Sequence, residues 1–92
     1  MNGSTNVFTY NLTGDSLVIE KADQVVRLSV VCKQGTISVL GSKQFKGLDP
    51  QQTDFSQGSG VTLTGDVQNP LDGITISAGT LSDIAQIVVT TQ

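Results

Sequence analysis

One cysteine, eight carboxylates and four aromatic rings are the side chains with which this 92-residue sequence could do chemistry; histidine and tryptophan are absent. Without histidine there is no Ser-His-Asp or Cys-His pair, no imidazole base and no histidine-containing zinc site. Cys32 would have to act alone, and a reactive thiolate needs a cation, a helix N-terminus or a second cysteine to lower its pKa. Lys33 is its neighbour in sequence, but successive strand residues point to opposite faces of a sheet. Cys32 instead falls in register with Val26, Leu28 and Val30, so the thiol is expected to be buried and inert.

The carboxylates read as turn formers. Asp15, Asp49, Asp54, Asp66, Asp72 and Asp83 stand beside or near Gly, Pro or Ser, where aspartate hydrogen-bonds its own backbone. A glycosidase would need two of them held across a cleft. A calcium site built from loop aspartates would more often show the dense D-x-[DN]-x-[DN]-G spacing, which is missing. No glycine loop is followed by the lysine and helix that cradle phosphate. No catalytic residue, cofactor or metal ligand is therefore assigned.

Sugar binding usually rests on exposed aromatic platforms. Phe8 and Tyr10 alternate with Leu12 on one strand face, which predicts core positions. Phe45 and Phe55 flank an irregular stretch, residues 42–60, that also holds Asp49 and Asp54. These four residues form the candidate contact or ligand site, and Phe55 is expected either to anchor the loop or to meet a partner.

The elements that must position these residues are strands. Thr, Ser, Gln, Asn and Gly are abundant and helix formers scarce, with three Ala, one Met and one Glu. Alternation predicts strands over 7–12, 16–22, 25–33, 36–42, 61–67, 71–80 and 83–92, separated by turn signals such as Thr13-Gly14-Asp15, Gln34-Gly35 and Asp72-Gly73. Residues 29–42, SVVCKQGTISVLGS, read as a central hairpin turning at Gln34-Gly35. The strand from Val25 carries apolar residues on both faces, with Val25 and Val31 opposite the Cys32 row and available to a partner. Leu12-Thr-Gly-Asp15 recurs as Leu63-Thr-Gly-Asp66, either as shared turn chemistry or as related hairpins in two halves.

The expected fold is all-β: one domain over 1–92, a small antiparallel β-sandwich of seven or eight short strands, with a jelly roll among the compatible arrangements. The five cations are dispersed and the net charge is −3, which argues against nucleic acid. No apolar run approaches the roughly twenty residues of a membrane helix, and residues 1–10 lack the regions of a signal peptide. One cysteine permits no intrachain disulfide, so a chain this small gains from burying surface against a copy of itself.

VRLSVVCKQGTISVLGS and NPLDGITISAGTLSDIAQIVVTTQ, about half the chain, resemble in style the small structural proteins of tailed-bacteriophage virions: head decoration, head-fibre and tail accessory proteins. The resemblance implies a non-enzymatic homo-oligomer attached to other virion structural proteins, made in the host cytoplasm and resident in the virion. It transfers no functional residue. The rival expectation is a carbohydrate- or ligand-binding β-sandwich using the 42–60 stretch.

Overall fold

A computed structural model of the chain describes residues 6–42 and 52–92. Eight strands run β1 (Asn6–Thr13), β2 (Ser16–Ile19), β3 (Val25–Gln34), β4 (Thr36–Gly41), β5 (Gln52–Ser56), β6 (Gly60–Thr64), β7 (Ile74–Ala78) and β8 (Ile84–Thr91). A 3₁₀ turn at Lys21–Asp23 separates β2 from β3. The strands form two four-stranded antiparallel sheets, ordered β1-β8-β3-β6 and β2-β7-β4-β5.

The order has a simple origin. β1 pairs with β8, β2 with β7, β3 with β6 and β4 with β5, so the chain doubles back on itself and rolls up. That is a jelly roll, the eight-stranded double-sheet arrangement.

Period-two alternation fills the space between the sheets. Leu28, Val30, Cys32, Leu63, Ala85, Ile87 and Val89 point inward from one sheet; Ile19, Ile37, Val39, Ile74, Ile76 and Ala78 point inward from the other. Among the described residues no polar or charged side chain is buried, so the core is apolar throughout.

Three details differ from the sequence reading. β3 and β4 are not a hairpin: β3 pairs with β8 and β6, β4 with β7 and β5, and Gly35 carries the chain from one sheet to the other. A Gln-Gly signal specifies a reversal, not the sheet in which the next strand lands. β5 lies inside the stretch read as an irregular loop. Its period-two pattern holds only Thr53 and Phe55 on the inner side, too little to stand out in a Gln-rich segment.

The third difference is Val25, a predicted partner contact, which is buried at 1 % exposure. The register of β3 against β8 shifts between Val25 and Arg27, so one extra residue reverses the parity of the strand. Val25 turns into the core and bridges Leu71, while Val26 takes the half-buried place.

The repeated Leu-Thr-Gly-Asp has a common role without a common hairpin. Each copy ends an edge strand of the first sheet where the chain departs for the second, β1 to β2 and β6 to β7. β1 and β6 run in opposite directions, so the two copies lie at opposite ends of that sheet. Asp15 Oδ1 accepts from Ser16 N at 2.8 Å, and Asp66 Oδ1 accepts from Asn69 N at 2.7 Å.

Candidate interaction surface

Cys32 occupies the inner face of β3, fully buried beside Val30. Its thiol donates to the Gly35 carbonyl at 3.2 Å, with the Gln34 carbonyl at 3.6 Å. Its backbone is equally committed: Cys32 N donates to Ser59 O and Gly58 N donates to Cys32 O, both at 2.8 Å. The residue thus ties the β3–β4 crossing to the β5–β6 turn. Opposite it, Asp83 Oδ1 accepts from Thr36 N at 3.3 Å and its Oδ2 from Thr80 N at 3.2 Å. That carboxylate fills the space a side chain at Gly35 would need, which is why the crossing carries glycine at φ 75°. Asp23 accepts from Glu20 N at 2.8 Å within the 3₁₀ turn. Among the described residues no three of Cys, Asp and Glu are grouped so as to hold a metal ion.

Phe45 and Asp49 of the predicted contact site lie outside the described residues. The structure does not bring Asp54 and Phe55 together: they are neighbours on β5 and point to opposite faces. Phe55 is half-buried and packs on the core opposite Ile37. Asp54 is exposed on the outer face, at the end of a hydroxyl row formed by Ser16, Ser77 and Ser38. Val31 is half-buried on the outer face of its own sheet, between Gln86 and Gly60.

The surface with most to offer an approaching molecule is the side where β1 stands over β2. Phe8, Tyr10 and Leu12 point inward, as their pairing with Val89, Ile87 and Ala85 requires. Yet Phe8 remains 46 % and Tyr10 44 % exposed, because β2 spans four residues against the eight of β1 and leaves those rings partly uncovered. Phe8 and Tyr10 are therefore half-exposed rather than core residues, contrary to the expectation from alternation. An open groove of about 390 Å³ results, lined by Phe8, Tyr10, Leu17, Val18, Asp23 and Val89 among others. Val18 and Val7 add exposed apolar surface on either side of it.

The backbone of this side is open as well. Among the described residues β1 pairs only with β8 and β2 only with β7, so each presents a row of free N–H and C=O groups. β1, NVFTYNLT, contains no charged residue and no proline, the two commonest protections of a sheet edge. Sequence alternation identified the face of Phe8 and Tyr10 but not how far the opposite sheet reaches. The readable signal was a long uncharged strand at one end of the pattern, where an edge position is common.

No protein-family model matches the chain, and no curated protein matches it. Among solved structures, one described as "Bacillus endospore appendages form a novel family of disulfide-linked pili" is similar with a TM-score of 0.46 and 14 % sequence identity, over 97 % of this chain and 85 % of that one.

Proposed function

We propose that the chain is a non-enzymatic structural subunit that assembles with copies of itself, in the manner of the small β-sandwich proteins of phage virions, and attaches there to other structural proteins. The observation that carries the assembly reading is the β1–β2 side: a bare, uncharged sheet edge with two half-exposed aromatic rings beside it. A monomer with no further role would leave this edge as an aggregation hazard; a subunit uses it. The chemistry of the described residues agrees with a structural role. The one thiol is buried and hydrogen-bonded to backbone carbonyls, and Asp15, Asp23, Asp66 and Asp83 each accept from backbone N–H groups.

Size-exclusion chromatography with light scattering tests the reading. At tens of micromolar the mass should exceed the 9.6 kDa of one chain. A single species of that mass throughout the range would overturn it. Attachment to other virion subunits is tested separately, by co-sedimentation with virions prepared without this protein.

A further inference from the structure

We propose that the assembly contact is a symmetric antiparallel pairing of β1 with β1 of a second copy, in the register that sets Phe8 of each chain opposite Tyr10 of the other. The inference rests on the homo-oligomer reading and gives it a place and a geometry.

Charge selects the edge and the occupant. A two-fold pairing sets a strand against itself, so any charge near its centre meets its own copy, and like charges directly opposite are destabilising. β1 has eight residues and no charge. The other edges are poorer. β5 carries Asp54 at its middle, and β2 has four residues and runs directly into Glu20 and Lys21. β6 is uncharged, but its Leu63 is already buried and it has no exposed large apolar side chain to cover. A chain of net charge −3 is repelled as a whole by its own copy, and a contact strand without charged residues adds no local repulsion to that.

The pleat then restricts the register. Inner faces remain continuous across the new pair only if inward residues oppose inward residues, which excludes every one-residue slip between alternatives. Setting Thr9 against Thr9 on the two-fold axis places Phe8 opposite Tyr10 twice, giving two aromatic cross-strand pairs. Moving the axis to Phe8 or to Tyr10 leaves one pair of identical rings and sets the remaining rings against Asn6 or Leu12. The Thr9 register therefore covers the most aromatic surface.

The area is consistent with a modest contact. At 46 % and 44 % exposure the two rings each leave roughly 90 Å² uncovered. Doubled by symmetry the rings supply about 360 Å², so even joined by Val7 and the edge backbone the contact stays below the roughly 1,200 Å² of standard specific interfaces.

Disulfide trapping of the full chain under mild diamide oxidation tests the geometry. In this register the Cα atoms of the two Thr9 residues lie about 4.5–5.5 Å apart, within disulfide range. Those of the two Asn11 residues lie about 14 Å apart, beyond it. Thr9→Cys should form a covalent dimer at least about tenfold faster than Asn11→Cys, and adding Phe8→Lys to Thr9→Cys should slow it towards the Asn11→Cys rate. Wild type, with only the buried Cys32, should form none. Equal rates, or a faster Asn11→Cys, overturn the register. If neither variant cross-links while light scattering shows wild-type oligomers, β1 pairing is wrong and the homo-oligomer reading stands. If wild type is a monomer, both fall.

Discussion

Cys32, Asp15, Asp66 and Asp83 are each held by hydrogen bonds to backbone groups. Cys32 illustrates this. Its Sγ–H points at the Gly35 carbonyl, its side chain is fully buried, and its own N–H and C=O are both bonded to the 58–59 turn. Reaching the sulfur requires either loss of that turn or unfolding of the sheet, so modification should be limited by opening rather than by thiol chemistry. A disulfide reagent such as DTNB should therefore label native protein at least about a thousandfold more slowly than urea-unfolded protein. Stoichiometric labelling of the native state within seconds would place the thiol at an accessible site. The aspartates are legible from their neighbours because their role is local: Gly14-Asp15 and Gly65-Asp66 each put an acceptor beside a turn N–H within a few residues. Asp83 was legible only in part. Its bond to Thr36 N spans 47 positions, and no local spacing encodes it.

At the scale of elements, alternation located strands wherever a strand buries one face fully, as β3, β7 and β8 do. It also found the partly buried β1, β2 and β6, but it missed β5 and misassigned the start of β3, where parity changes within the strand. β5 sets only Thr53 and Phe55 toward the core, and the bulge at the start of β3 exchanges Val25 for Val26. Neither effect is visible in hydropathy, since both depend on which strand becomes the neighbour. The attachment of β6 to β3 offers an element-scale test. Gly60 opposes Val31, and a Cβ there would run into the Val30 carbonyl and come within 2.9 Å of Val31 Cα, backbone atoms that cannot give way without opening the pair. Gly60→Ala should therefore cost about 2 kcal/mol or more, lowering Tm by roughly 8–16 °C for a domain of this size. Thr62→Ala lies on the exposed outer face two residues on, where a 3.4 Å hydroxyl contact to Ser29 is lost, and should cost under about 1 kcal/mol. Thermal melts of the two variants give the comparison, and an equal or smaller loss at Gly60 would show that β6 is not held closely against β3.

For the whole molecule, the relevant asymmetry is that a well-filled core coexists with one unfinished side. Leu28, Val30, Ile76 and Ile87 are fully buried at the centre, whereas Phe8 and Tyr10, on the same inner surface, end at solvent because β2 is short. A small sandwich without disulfides has little stability in reserve, and covering this side with a second copy would supply some. Stability and association are then linked: whatever binds the folded chain and not the unfolded one raises Tm with concentration. For a dimer that dissociates as it unfolds, each tenfold rise in protein contributes about 0.7 kcal/mol per chain, or some 3–5 °C in Tm. Wild type should show that slope once the paired form predominates. Phe8→Lys places a charge in the groove while removing a ring that is only half-buried, so it should lower the plateau Tm modestly and abolish the slope. Calorimetry across two decades of concentration separates the possibilities. A flat wild-type curve would mean that folding needs no partner at these concentrations, and an unchanged slope in Phe8→Lys would mean that the stabilising contact lies away from β1.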